Sequence, residues 1–342
     1  MNLWDEISSQ PSVLSDLAAT RVVRVDPAVD WVAGQTFDHV LIAARGTSDN
    51  AARYCQYLWG ARNQLLVSLA APSLYGVYQS PPRLEGALIM GISQSGESPD
   101  LLTVLSEAKK QGSPTLSLTN KPGSPMARMA DCHVDLGAGP ELAVAATKSY
   151  TAQLVALASL SAGIAGARKM QQEIDRVGES VTAALETSDA CAAAADSMKS
   201  SDRCVVLGRG FHHATAHEWA LKIAELSYLV AQPFSAADFR HGPLAMVEPG
   251  LPVLAIATAS PSYADLAELL SLTRDIGATV IAISDQPDCP ADYLIPLRAG
   301  VPDWLAPIPA IVAAQVFTYH LTRSRGLDPD NPRRLTKVTK TI

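Results

Sequence analysis

The sequence lacks the features that would place it in several common functional classes. Its five cysteines (Cys55, Cys132, Cys191, Cys204 and Cys289) are scattered, with no CxxC pair. That excludes a disulfide framework or a cysteine zinc site and predicts reduced, mostly buried thiols. There is no basic surplus: 27 Lys and Arg stand against 34 Asp and Glu, a formal charge of -7. A general nucleic-acid binder would need the opposite balance to neutralise phosphates. The N-terminus, MNLWDEISSQ, has neither the basic nor the apolar region of a signal peptide. The longest apolar stretch, around Leu154 to Ala165, is too short and too rich in Ala and Ser to span a bilayer. No Walker loop, no GxGxxG after a first-half strand and no HExxH occurs, so ATP, NAD and a metal are not expected. The expectation is a cytoplasmic enzyme working without a cofactor.

What is present is an alternating pattern over 342 residues, enough for two cores. HVLIAARG (39–46) and ALIMGIS (87–93) read as strands ending in turns. DLLTVLSEAKKQG (100–112) reads as a helix closed by Gly112, and TLSLTN (115–120) as a further strand. Strand, turn, helix and strand in this order imply a parallel sheet with helices on both faces.

The second half repeats the first. RCVVLGRG (203–210) parallels HVLIAARG at an offset of 164, and PVLAIATAS (252–260) parallels ALIMGISQS. DLAELLSLTRDIG (265–277) parallels DLLTVLSEAKKQG at an offset of 165, and TVIAISD parallels TLSLTN. Four matches in order at a nearly constant offset predict an internal duplication. The Ala-rich stretch from Gln171 to Lys199 reads as a helical linker between the copies.

One loop is not duplicated. Ser93-Gln94-Ser95-Gly96 of the first copy is replaced by Thr258-Ala259-Ser260-Pro261 in the second. A strand-to-helix loop of a parallel sheet lies at the carboxyl edge, where open α/β folds bind ligands. Ser93, Gln94, Ser95 and Ser98 can donate hydrogen bonds to a phosphate whose charge also meets a helix N-terminus. Thr47 and Ser48, after Gly46, could serve the same phosphate. The alternative for each serine is a helix cap.

Three further groups stand out. Lys222 and Glu225, three residues apart, share one helix face among apolar neighbours, unlike an ordinary solvated pair. His241 in FRHGPLAMV is a candidate acid–base group, since an imidazole can both donate and accept a proton. Lys337 lies in a basic tail with Arg333, Arg334 and Lys340.

Together RGTS, SQSGES, ELAVAATKSYTAQL (141–154), ALKIAELSY (220–228), FRHGPLAMV (239–247) and DPDNPRRLTKVT (328–339) resemble the sugar isomerase (SIS) domain family. They are most similar to the isomerase half of glucosamine-6-phosphate synthase and to stand-alone SIS-type deaminases. The resemblance implies two tandem SIS domains, each a flavodoxin-like three-layer sandwich. The first spans 1–185 with an N-terminal helix and the second 186–342 with an active-site tail. It implies that Ser48, Thr47, Ser93, Gln94, Ser95 and Ser98 bind a sugar 6-phosphate and that Val144 and Ala145 line the sugar. It further implies that Glu225, supported by Lys222, moves the C1–C2 proton. It implies as well that His241, from across a homodimer interface, opens the ring before that step, and that Lys337 engages the carbonyl. Arg45, Ala146 and Thr336 depart from the family's commoner residues. Because the chain begins MNLW, without Cys at position 2, glutamine-dependent synthesis is not expected. The expected activity is cofactor-free isomerisation and deamination of a hexosamine 6-phosphate. A fructosamine-6-phosphate deglycase or a non-catalytic sugar-phosphate regulator is the alternative.

Overall fold

A computed structural model describes residues 2–337 of the chain; Lys340 lies outside the described residues. Among the described residues, ten strands form two five-stranded parallel sheets. The first sheet holds β1 (His39–Ala43), β2 (Leu66–Leu69), β3 (Ala87–Ser93), β4 (Thr115–Thr119) and β5 (Cys132–Asp135) in the order β2-β1-β3-β4-β5. The second holds β6 (Arg203–Gly208), β7 (Val230–Ser235), β8 (Pro252–Ile256), β9 (Thr279–Ser284) and β10 (Tyr293–Pro296), ordered β7-β6-β8-β9-β10. The two orders are the same permutation, so the sequence duplication is a duplication of topology. The central strands β3, β4 and β8 are buried at every residue, which parallel strands covered by helices on both faces require.

The chain divides into two compact units, and neither is a single stretch. One comprises 1–11, 142–147 and 177–335; the other comprises 12–141, 148–176 and 336–342. In the latter, the Lys148–Ile164 helix is buried on nearly every side. It holds the Thr47–Asn63 helix through hydrogen bonds from Trp59 Nε1 to the Leu157 carbonyl (3.2 Å) and from Asn63 Nδ2 to the Ser161 carbonyl (3.0 Å). The apolar stretch that is too short for a bilayer is therefore a core helix. In the other unit the Pro307–Ser324 helix is similarly buried, and Phe317 meets Trp219 edge-to-face at 5.2 Å.

The stretch expected as a linker needs correction. Residues 171–199 are helical, but the Val177–Leu185 and Ser188–Ser197 helices pack on the Pro307–Ser324 helix. Their small alanines Ala184, Ala194 and Ala195 are buried. The Ala-rich composition reflects close helix packing and not a solvated connection.

Candidate functional site

In the unit carrying the first sheet, two loops follow β1 and β3. Gly46 occupies the N-cap of the Thr47–Asn63 helix at φ 53°, a conformation that favours glycine. Thr47 and Ser48 are thus the first helical residues and not its cap. Ser48 is buried, and its Oγ accepts from Gln153 Nε2 at 2.9 Å.

The second loop folds on itself. Ser93 Oγ accepts from the Gly96 N–H at 3.0 Å, and Ser95 Oγ accepts from the Glu97 N–H at 3.3 Å. Both hydroxyls thus spend lone pairs on the backbone and keep their hydrogens for an outside acceptor. Gly96 has φ 64°, and a Cβ there would lie 2.2 Å from Ser124 Oγ. No other residue fits this crossing without movement. The half-buried Gln94 is held by its carbonyl, which accepts from the Asn120 N–H at 3.2 Å. Ser98 is the N-cap of the Pro99–Lys110 helix, yet its side chain makes no capping bond. For Ser98 the capping alternative therefore fails, and the hydroxyl sits beside the positive helix end.

Arg45, one of the departures from the family pattern, ties these loops together. Its Nε donates to Asp100 Oδ2 at 2.7 Å, with the Asp100 side chain 1% exposed. The guanidinium is thereby committed to a carboxylate in the first turn of the helix. The loops retain hydroxyls and amides as their donors.

Glu141 and Lys337 form a second cluster in this unit. The Glu141 side chain is 0% exposed and accepts from the Ser149 N–H (3.0 Å), the Ser149 hydroxyl (2.7 Å) and Lys337 Nζ (3.1 Å). A buried carboxylate at a helix N-terminus, with these donors and a cation, is well compensated. It gives the half-buried Lys337 a fixed place. The sequence reading missed Glu141, although it begins the quoted motif ELAVAATKSYTAQL.

In the other unit, the His212–Ser227 helix carries Lys222, which is 2% exposed and lies between two carboxylates. Its Nζ is 2.5 Å from Glu225 Oε2 and 3.5 Å from Glu218 Oε1. Glu218 is fully buried, whereas the Glu225 side chain is 24% exposed. One ammonium therefore serves two carboxylates, and only Glu225 opens toward solvent. Glu218 was missed as well; its signal is the i−4 spacing from Lys222. His241 follows the Ala236–Arg240 helix as its C-cap, exposed and ahead of Gly242 at φ 139°. Val144 and Ala145 lie in the irregular segment 142–147 of this same unit. Among the described residues, no group of three or more His, Cys, Asp or Glu is placed to hold a metal ion. None of their helices is long and apolar enough to cross a membrane.

Comparison with known proteins places these features in context. The SIS domain model matches residues 37–162 and again 197–300, one copy for each sheet. The glutamine–fructose-6-phosphate aminotransferase (isomerizing) of Thermococcus kodakarensis is 33% identical over 344 residues, 97% of this chain and 56% of that protein. The chain thus spans about half the length of the curated relatives it matches. The C-terminal domain of the glucosamine-fructose-6-phosphate aminotransferase of Francisella tularensis superposes with a TM-score of 0.89 at 28% identity, covering 96% of this chain and 98% of that one. A glucosamine-6-phosphate deaminase from Thermotoga maritima shares the fold, with a TM-score of 0.80 at 23% identity over the whole of both chains.

Proposed function

The chain belongs to the SIS domain family, and we propose that it isomerises and deaminates a hexosamine 6-phosphate, converting glucosamine 6-phosphate and water to fructose 6-phosphate and ammonia. The observation that carries this reading is the Glu218–Lys222–Glu225 array. A sugar-binding regulator has no use for a buried ammonium flanked by two carboxylates, one of them reachable. Proton transfer at carbon needs such a base, held in position and spared full hydration.

The serine loops grip the phosphate through Ser48, Thr47, Ser93, Gln94, Ser95 and Ser98, with Val144 and Ala145 along the sugar. His241 protonates the ring oxygen while the C1 hydroxyl loses its proton, giving the open-chain aldehyde. Glu225 removes the C2 proton, and the electron pair shifts to give an enolamine. Return of the proton at C1 leaves the ketimine at C2. Water adds to that carbon, and ammonia departs with a proton, leaving the C2 ketone. Lys222 offsets the charge on Glu225, and Lys337 donates to the sugar oxygen at C1. The exposed His241 acts on a second copy of the chain in a homodimer. A relative that matches along nearly the whole chain is named an isomerizing glutamine–fructose-6-phosphate aminotransferase, which supports a C1–C2 shift on a hexose or hexosamine 6-phosphate.

Ammonia and ketose formation measured over glucosamine, galactosamine and glycated-amine 6-phosphates tests the proposal. Release from glucosamine 6-phosphate is the expected result. Turnover confined to the glycated amines would replace it with a deglycase. Binding without any product would leave only a regulator.

A further inference from the structure

The Leu3–Ser8 helix carries a buried carboxylate that the mechanism does not use. Glu6 is fully buried, and its Oε1 accepts from both the Leu142 N–H (2.5 Å) and the Ala143 N–H (3.2 Å). These amides belong to the irregular segment 142–147, which makes no helix or strand of its own. Backbone without a ladder needs side-chain partners to hold a single position. The two residues that follow the gripped amides are Val144 and Ala145.

The helix that presents Glu6 is itself pinned within the same unit. Asn2 and Asp5 form a reciprocal capping box, and the Leu3 N–H donates to Asp330 Oδ1 at 2.7 Å. Just beyond its end, Gln10 Nε2 donates to Gln315 Oε1 at 2.8 Å on the buried Pro307–Ser324 helix. Glu6 is therefore a rigid carboxylate aimed at one point of the backbone.

We propose that Glu6 is a positioning residue that sets the backbone of Val144 and Ala145 for the sugar, acting through the Leu142 and Ala143 amides. The role rests on the sugar-phosphate reading above. It requires the reach of the side chain more than its charge, because one oxygen takes both bonds. Glu6→Gln keeps that oxygen, whereas Glu6→Asp keeps the charge but withdraws it by one methylene.

Calorimetric titration of both variants and the wild type with glucosamine 6-phosphate, and separately with inorganic phosphate, tests the inference. Glu6→Gln should bind the sugar phosphate within about twofold of wild type, and Glu6→Asp about tenfold more weakly, one backbone hydrogen bond's worth. Inorganic phosphate should bind all three equally, since the serine loops do not involve Glu6. Equal sugar-phosphate affinity in Glu6→Asp and wild type overturns the role, as does an equal loss for both ligands. A wild type that binds phosphate but no hexosamine 6-phosphate overturns the proposed function first, and this role with it.

Discussion

Arg45 and Asp100 join the turn after β1 to the first turn of the Pro99–Lys110 helix, and Arg209 and Asp265 do the same in the second copy. The first pair meets at 2.7 Å with Asp100 1% exposed; in the second, Arg209 Nη1 donates to Asp265 Oδ2, with Asp265 41% exposed. The duplication thus preserved a strut as well as a fold. Its strength should differ between copies, because removing the partner of a buried carboxylate costs more than removing that of a solvated one. Arg45→Ala should lower stability by about 1–3 kcal/mol, and Arg209→Ala by less than about 1 kcal/mol. Urea unfolding of the two variants checks the order, and a larger loss for Arg209→Ala would contradict it.

Glu225 offers the only array carboxylate with appreciable exposure. Glu225→Gln retains shape and hydrogen bonding but cannot accept the C2 proton. Turnover should fall by roughly 10²–10⁴, while glucosamine 6-phosphate binding stays near wild type. Exchange of the C2 proton with deuterated solvent, followed by NMR, reads the step directly. Undiminished exchange in Glu225→Gln would remove Glu225 from the mechanism.

Gln153 fixes the direction of the Ser48 hydroxyl, one of the proposed phosphate donors. Its Nε2 donates to Ser48 Oγ at 2.9 Å, so the serine hydrogen can point elsewhere. Gln153→Glu reverses this: a carboxylate takes the Ser48 hydrogen and adds negative charge beside the grip. Phosphate binding should weaken by about tenfold or more. Ser48→Ala should cost a similar factor, and the double variant no more than either single one. Additive losses, measured by competition with phosphate, would show that Gln153 and Ser48 act independently.

The repeat made the fold legible. Long apolar strands such as ALIMGIS and the helix closed by Gly112 coincide with β3 and the Pro99–Lys110 helix. The edge strands β2, β5, β7 and β10 escaped. All four are partly exposed, β2, β5 and β10 have only four residues each, and β7 and β10 contain Pro233 and Pro296, which an edge tolerates and a centre does not. The serine loops and Glu225 were legible because hydroxyl clusters and an i,i+3 ion pair are local in sequence. Glu6, Glu141 and Gln153 were not, because their meaning lies in partners up to 196 residues away. No local spacing marks a buried carboxylate that grips a distant backbone.

His212 shows how the second copy lost its loop, and it predicts an acid limit to stability. It stands at the offset of Ser48, and its Nε2 lies 2.6 Å from Thr258 Oγ1, the residue at the offset of Ser93. Where the first copy keeps two hydroxyls, the second has a buried imidazole bonded to a threonine. Burial pushes the His212 pKa from 6.5 down to about 3. Between those values the unfolded chain binds a proton that the folded one refuses, so stability rises with pH there. The contribution is complete above about pH 6.5 and is lost progressively as pH falls toward 3, by up to about 1.4 kcal/mol per pH unit. His212→Gln keeps a polar side chain of similar reach and removes the titration. Its urea midpoint should therefore fall less steeply between pH 6.5 and 4 than that of the wild type, even if it starts lower at pH 7.5. Parallel slopes for the two proteins would mean that His212 carries no part of the acid sensitivity.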